Sequence, residues 1–262
     1  MSLQRQYEDD GVVLLEGALG LAALADALAA YQWSLANPGP GATKFRQATD
    51  STFLNDLYNP RCLEGYRAML EASPLPALIA EIWGADDVWF FYEQVFLKEG
   101  GETRRTPWHQ DSSYLAIAGQ HLAVAWISFD PVSRADALEF VRASHRGRLY
   151  NGSRYELGDD TAPINPNSSL PRLPDIEADR TQWDIVGFGT QPGDVVLFHP
   201  AMLHGGAPTH PGTRRRTLTL RFFGEDATYD RREGYAGPRI SGFHERLRTG
   251  DPFRDASFLK LR

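Results

Sequence analysis

Thr106-Pro107-Trp108-His109-Gln110-Asp111 is the stretch on which the reading of this chain turns. Residues rich in β-branched and aromatic side chains lie on both sides of it, so an extended backbone is expected here. On extended chain, residues i and i+2 project to the same face. His109 and Asp111 are two apart, which places an imidazole beside a carboxylate. One further histidine would complete three ligands on one side of a metal. A His-x-Asp tripeptide alone recurs by chance, and its weight depends on what surrounds it.

Working outward, the runs Val88 to Leu97, His121 to Phe129, Ala137 to Val141, Asp184 to Phe188, Asp194 to Phe198 and Thr217 to Phe223 read as strands separated by turn residues. Strands at this spacing, without alternating helices, predict a sandwich or jelly roll. Upstream, Glu8 to Leu15 reads as a turn and a short buried strand. Leu19 to Leu35 is an Ala/Leu-rich helix stopped by Asn37-Pro38-Gly39-Pro40-Gly41. Asn59-Pro60 and Ser73-Pro74 each start a further helix, the second ending at Gly84. The expected organisation is one domain over 1–262: a mostly helical support over 1–87, a β core over 88–226, and a polar extension over 227–262 with no legible structure. Residues 148–180 are rich in Pro, Asn, Ser, Asp and Gly, and a connection this long predicts a lid.

A candidate for that further histidine is His204, which follows the apolar run Val195 to Phe198 and precedes Gly205-Gly206, where the backbone can pass close to a neighbour. Beyond it stands Arg214-Arg215-Arg216-Thr217. If 214–221 is a strand, Arg215, Thr217, Thr219 and Arg221 share one face, and Arg214, Arg216, Leu218 and Leu220 the other. Arg215 and Thr217 could then offer a guanidinium fork and a hydroxyl to one carboxylate, a geometry that lysine does not reproduce. Two histidines and a carboxylate with positions left open form the facial triad of non-heme Fe(II) oxygenases.

With these residues in order, the chain resembles the Fe(II)- and 2-oxoglutarate-dependent oxygenases. Trp108 to Asp111, Ala125-Trp126, Leu138 to His145 and Pro192 to Pro200 are similar to the phytanoyl-CoA dioxygenase subgroup. The resemblance covers roughly 88–226 and implies a mainly β fold with flanking helices around a double-stranded β-helix, a jelly-roll or cupin-like core. It implies that His109, Asp111 and His204 bind Fe(II), and that Arg215, with Thr217 beside it, binds the distal carboxylate of 2-oxoglutarate. Gln94, Gln110 and Trp126 match cosubstrate-pocket positions in order only. It further implies O2 as co-reactant, succinate and CO2 as products, and oxidation of an unactivated C–H, with hydroxylation the first choice over desaturation, epoxidation or ring rearrangement. Related halogenases carry a small residue where Asp111 stands. Two alternatives stand beside this reading: a cupin-type iron enzyme that does not use 2-oxoglutarate, against which Arg215-x-Thr217 argues, and a catalytically silent β-helix protein that binds a small ligand, against which the intact triad argues.

Composition narrows the partners. The chain has 262 residues, 27 basic and 34 acidic, for a net charge of −7. That argues against a general nucleic-acid surface. No apolar run approaches the roughly 20 residues needed to span a bilayer, and the N-terminal residues lack an apolar signal core. Cys62 is the single cysteine, so no intrachain disulfide forms, and a cytoplasmic location with a small-molecule substrate is expected. Gly187-x-Gly189 and Gly193 miss the dinucleotide fingerprint. His121, His145, His199, His210 and His244 read as hydrogen-bonded structural residues, Trp89, Phe90, Phe91 and Phe96 as core, and Arg214 and Arg216 as a solvated face.

Overall fold

The computed structural model describes residues 2–46, 52–100, 103, 105–156, 158–233 and 237–262. In chain order its elements are α1 (Leu3–Asp10), β1 (Val12–Leu15), α2 (Leu21–Ala36), β2 (Thr43–Arg46), β3 (Thr52–Leu57), α3 (Cys62–Ala72), α4 (Leu75–Trp83), β4 (Trp89–Glu99), β5 (Thr106–His109), β6 (Ile117–Ala118) and β7 (Leu122–Ser128). They continue as β8 (Leu138–Val141), β9 (Ile185–Gly187), β10 (Val195–Phe198), β11 (His204–Gly206), β12 (Arg214–Phe223), β13 (Thr228–Tyr229), α5 (Phe243–Arg246) and β14 (Leu259–Lys260).

The strands form a large antiparallel sheet in the order β1-β10-β7-β12-β4-β3-β2, with β14 also on β4, and a smaller one in the order β5-β11-β8-β9. A third, two-stranded sheet pairs β13 with β6, and the two larger sheets are open. The fold is mainly β with few helices, built on a jelly-roll core. Period-2 alternation explains the layering. On the outer face of the large sheet, Phe90, Val95, Ala125, Ile127, Leu197, Leu218 and Leu220 pack against Tyr31 of α2, Tyr66 and Leu70 of α3 and Ile79 of α4 in one buried cluster. Each such side chain contributes about 1.5–3 kcal/mol by leaving water. On the inner face, Val124, Trp126, Val196 and Phe198 meet Phe140 of the smaller sheet. The Phe140 and Phe198 ring centroids lie 5.0 Å apart.

Four local expectations are corrected. Glu8 to Asp10 end a helix rather than form a turn: the Ser2 hydroxyl accepts from the Arg5 N–H, and Gly11 closes the helix at φ 79°. The first third is less helical than expected, because β2 and β3 form a hairpin whose second strand extends the large sheet against β4. Residues 227–262 are not merely polar. Phe243 and Phe253 are fully buried with Phe91 and Phe223 in a second apolar cluster, and β14 pairs with β4. Finally, Arg216 is no solvated residue: its Nε and Nη2 donate to the Asp130 carboxylate at 3.1 and 2.8 Å.

Candidate metal centre

β11 lies between β5 and β8, and His204 is directly opposite His109. The two ring centroids are 4.2 Å apart. The glycines after His204 make this possible. A Cβ on Gly205 would come within 2.8 Å of the Thr106 carbonyl oxygen, and one on Gly206 within 2.9 Å of that of Ala137. Gly206 also sits at φ 92°, which a side chain would strain.

Asp111 opens a short 3-10 turn, Asp111–Tyr114, rather than continuing the strand. Gln110 before it is still extended (φ −121°, ψ 126°), so the side-by-side projection of His109 and Asp111 survives. The ligand atoms of His109, Asp111 and His204 all lie within 4.8 Å of one another, and all three residues are buried. Asp111 Oδ1 is 3.5 Å from His109 Nε2 and 3.9 Å from His204 Nε2. Each imidazole turns its Nδ1 to a backbone carbonyl, His109 to Pro107 at 2.9 Å and His204 to Met202 at 3.0 Å. A carbonyl only accepts, so Nδ1 carries the proton and the Nε2 lone pair is left for a metal. Burial and the neighbouring His109 push His204 down to about 3, which keeps it neutral.

Arg221 of β12 reaches across from the large sheet. Its Nε and Nη2 donate to Asp111 Oδ2 at 3.1 and 2.7 Å. Burial alone would raise the Asp111 pKa, but the guanidinium outweighs it and holds the carboxyl well below the usual carboxylate range. Strand parity put Arg221 on the face of Arg215, yet nothing in the sequence showed that its partner would be Asp111.

The inner face of β12 holds a second polar group. Arg215 is 7% exposed and lies opposite Lys98 of β4. Its Nη1 is buried with no hydrogen-bond partner among the described residues. Lys98 Nζ donates to the Ala207 carbonyl at 3.0 Å. Burial and the adjacent Arg215 push Lys98 down to about 7. Thr217 lies opposite Phe96 and Ser128, and Thr219 opposite Gln94 and Trp126. Thr219 Oγ1 and Arg221 Nη1 also have no partner.

Residues 7–217 match the phytanoyl-CoA dioxygenase (PhyH) family. The chain belongs to that family. It is 27% identical over 134 residues to human peroxisomal phytanoyl-CoA dioxygenase, covering 50% of this chain and 37% of that one. It is 29% identical over 122 residues to a probable alpha-ketoglutarate-dependent hypophosphite dioxygenase of Stutzerimonas stutzeri, covering 46% and 40%. The chain thus matches well under half the length of these relatives. Among solved structures, the epimerase SnoN, in complex with Fe3+, alpha ketoglutarate and nogalamycin RO, aligns with TM-score 0.72 at 19% identity over 99% of this chain and 97% of its own. The alpha ketoglutarate dependent carbocyclase SnoK aligns with TM-score 0.69 at 19% identity over 100% and 97%. At such identity these two speak for the fold.

In this PhyH-family chain the other residues singled out from sequence divide. Trp126 is buried on the inner face beside Thr219. Gln94 is on that face too, but its amide is engaged: Oε1 accepts from Arg221 Nη2 at 2.8 Å, and Nε2 donates to Asn55 Oδ1 at 3.0 Å. Gln110 projects to the side opposite His109 and Asp111. Its Nε2 donates to the carbonyls of Ala201 and Arg148, and its Oε1 accepts from the Tyr150 N–H.

Gln110 therefore anchors the start of 148–180, a segment in which Leu157 lies outside the described residues. Further ties come from the metal-centre side. Ser113 Oγ donates to the Tyr150 carbonyl, the Tyr114 hydroxyl to that of Ser153, and Trp108 Nε1 to Glu177. The Tyr155 ring centroid is 5.8 Å from that of His109. A cavity of about 430 Å³ opens between this segment and the C-terminal part, lined by Ser113, Asn151, Asn165, Ser168, Arg231 and Glu233 among others. Of the histidines read as structural, His199 has a ring nitrogen on the Gly119 carbonyl and His244 one on that of Pro238. Among the described residues no helix is long and apolar enough to cross a membrane.

Proposed function

We propose that this chain is an Fe(II)- and 2-oxoglutarate-dependent oxygenase that hydroxylates an unactivated C–H of a small organic molecule, with succinate and CO2 as coproducts. One observation carries the reading. A buried two-histidine, one-carboxylate cluster shares its inner face with a buried arginine whose Nη1 has no partner among the described residues. Unpaired buried donors are rare in native proteins, and each costs about 1–3 kcal/mol. Among the described residues, Arg215 Nη1 and Thr219 Oγ1 are two such groups on one strand face. A dicarboxylate suits this array, so the residues present fit the cosubstrate as well as the metal.

His109, Asp111 and His204 would hold Fe(II), and Arg215 with Thr217 the distal carboxylate of 2-oxoglutarate. When bound, the iron with its cosubstrate and O2 supplies the oxidising power. The chain's own part is arrangement. Pro107 and Met202 fix the imidazole tautomers, and Arg221 fixes the carboxylate. Trp126 and Phe140 wall the site, and 148–180 acts as a lid that keeps bulk water away. Oxygen ligands with two imidazoles also suit Zn and Ni, so protein carrying those metals should be silent until reloaded. Small-molecule chemistry in a reducing, cytoplasmic setting agrees with the lone, half-buried Cys62.

The test is reconstitution with Fe(II), 2-oxoglutarate and O2 against a panel of small metabolites, with succinate as the readout. Succinate that depends on Fe(II) and disappears in Asp111→Ala is expected. Iron-dependent O2 uptake without 2-oxoglutarate consumption would instead point to the cupin-type enzyme.

A further inference from the structure

Asp111 has two oxygens, and the structure gives them different neighbours. Oδ1 faces the Nε2 atoms of both histidines, at 3.5 and 3.9 Å. Oδ2 is occupied by two N–H donors of Arg221, at 3.1 and 2.7 Å. We infer that Arg221 is a positioning residue that restricts Asp111 to one metal-binding oxygen and so keeps a coordination position free. This rests on the metal-centre part of the proposed function.

A carboxylate beside a divalent ion binds through one oxygen or both. Which mode wins depends on what else holds the second oxygen. Here the holder is itself held. Arg221 Nη2 donates to Gln94 Oε1 at 2.8 Å, and Gln94 Nε2 donates to Asn55 Oδ1 at 3.0 Å. The guanidinium lies 4.5 Å from the Tyr92 ring centroid, and its strand is locked in register with Tyr92 on one side and Val124 on the other. At 6% exposure, Arg221 is largely shielded from bulk water that would compete for these partners. The fork matches a carboxylate edge in a way that a single ammonium does not.

The consequence is one of counting. An octahedral ion with three single-atom protein ligands has three positions left, two for a chelating cosubstrate and one for O2. If Asp111 spanned the ion with both oxygens, cosubstrate binding would fill the last position. Arg221 thereby separates cosubstrate binding from O2 access, and its loss should leave the first and damage the second.

The experiment uses Mn(II) in place of iron and counts coordinated waters by the line broadening of its electron paramagnetic resonance in 17O-enriched water. Arg221→Met, similar in length but without donors, is expected to bind Mn(II) with one coordinated water fewer than wild type. In the iron-loaded enzyme its kcat should fall about tenfold or more while KM for 2-oxoglutarate stays within about threefold. If Arg221→Met does not fold, the double variant Arg221→Met/Gln94→Leu removes the polar group left unpaired, and the same loss of one water is expected. An unchanged water count in the folded variant would overturn the inference. So would complete loss of Mn(II) binding, which would make Arg221 a structural support only. Failure of wild type to bind Mn(II) would instead remove the metal-centre reading itself.

Discussion

Alternate residues of β12 live in two different environments. Arg216, Leu218 and Leu220 face the helices, and their needs are met within the chain. The leucines are fully buried in the main apolar cluster, and Arg216 is paired with Asp130. Arg215, Thr217, Thr219 and Arg221 face the smaller sheet, are just as buried, and keep three donor atoms without partners among the described residues. The outer face is a finished interior. The inner face is a polar surface with donors left over, and the proposed function assigns those donors to a bound ligand.

The comparison can be broken most severely at the three residues proposed to hold the metal. His109→Ala and His204→Ala should abolish succinate formation while leaving a folded protein, checked by circular dichroism. Asp111→Ala should also abolish it, and should in addition cost about 3–5 kcal/mol of stability, because it strands the buried Arg221 charge. Denaturant melts of Asp111→Ala and Asp111→Ala/Arg221→Met check this: the double variant should recover part of the loss.

Next in size is Arg215. Removing one partner of a buried charged pair costs roughly 2–5 kcal/mol, so Arg215→Ala should weaken 2-oxoglutarate use about thirty- to several-thousand-fold. Arg215→Lys should recover little. Leu220→Ala, one position from the inner face, supplies the contrast. It should cost about 2–5 kcal/mol in stability and leave KM for 2-oxoglutarate unchanged.

Lys98 sharpens the same contrast through pH. Burial and Arg215 lower it from 10.5 to about 7. Between these values the unfolded chain binds a proton that the folded chain does not, so Lys98 destabilises the fold increasingly as pH falls from 10.5 towards 7, and stability rises with pH across that window. A dianion bound beside it would restore the proton. Affinity for 2-oxoglutarate should therefore weaken as pH rises above 7, by up to about tenfold per unit, and calorimetry should show proton uptake that Lys98→Met removes. Smallest of all are the flanking arginines. Arg214→Ala should change 2-oxoglutarate use by about 1 kcal/mol or less, and Arg216→Ala should lower stability by about 1 kcal/mol with no effect on KM.

Much of this was legible in the sequence because it depends on local periodicity. The alternation in Arg214 to Phe223 separates the two faces of β12 before any coordinates are known, and glycines directly after His204 announce a close approach. Other features depend on tertiary placement and leave no local trace. Arg221 and Asp111 are 110 residues apart, and their pairing exists only because two sheets face each other. Gln110 sits between His109 and Asp111, but the same alternation that unites those two turns it to the 148–180 segment. The β2–β3 hairpin has little apolar alternation of its own and is stabilised by pairing with β4. The C-terminal phenylalanines are too widely spaced for a periodic signal, and they find one another only on the end of the large sheet.

The central claim is that the inner face of β12 and the His109, Asp111 and His204 cluster form one site for Fe(II) and 2-oxoglutarate. Anaerobic titration of 2-oxoglutarate into Fe(II)-loaded protein tests it most directly, because a cosubstrate chelated to the iron gives a weak visible charge-transfer band. The band should appear in wild type, be absent in His204→Ala, and require far more 2-oxoglutarate in Arg215→Ala but not in Arg214→Ala. A wild-type protein that binds Fe(II) and shows no band at saturating 2-oxoglutarate would contradict the account.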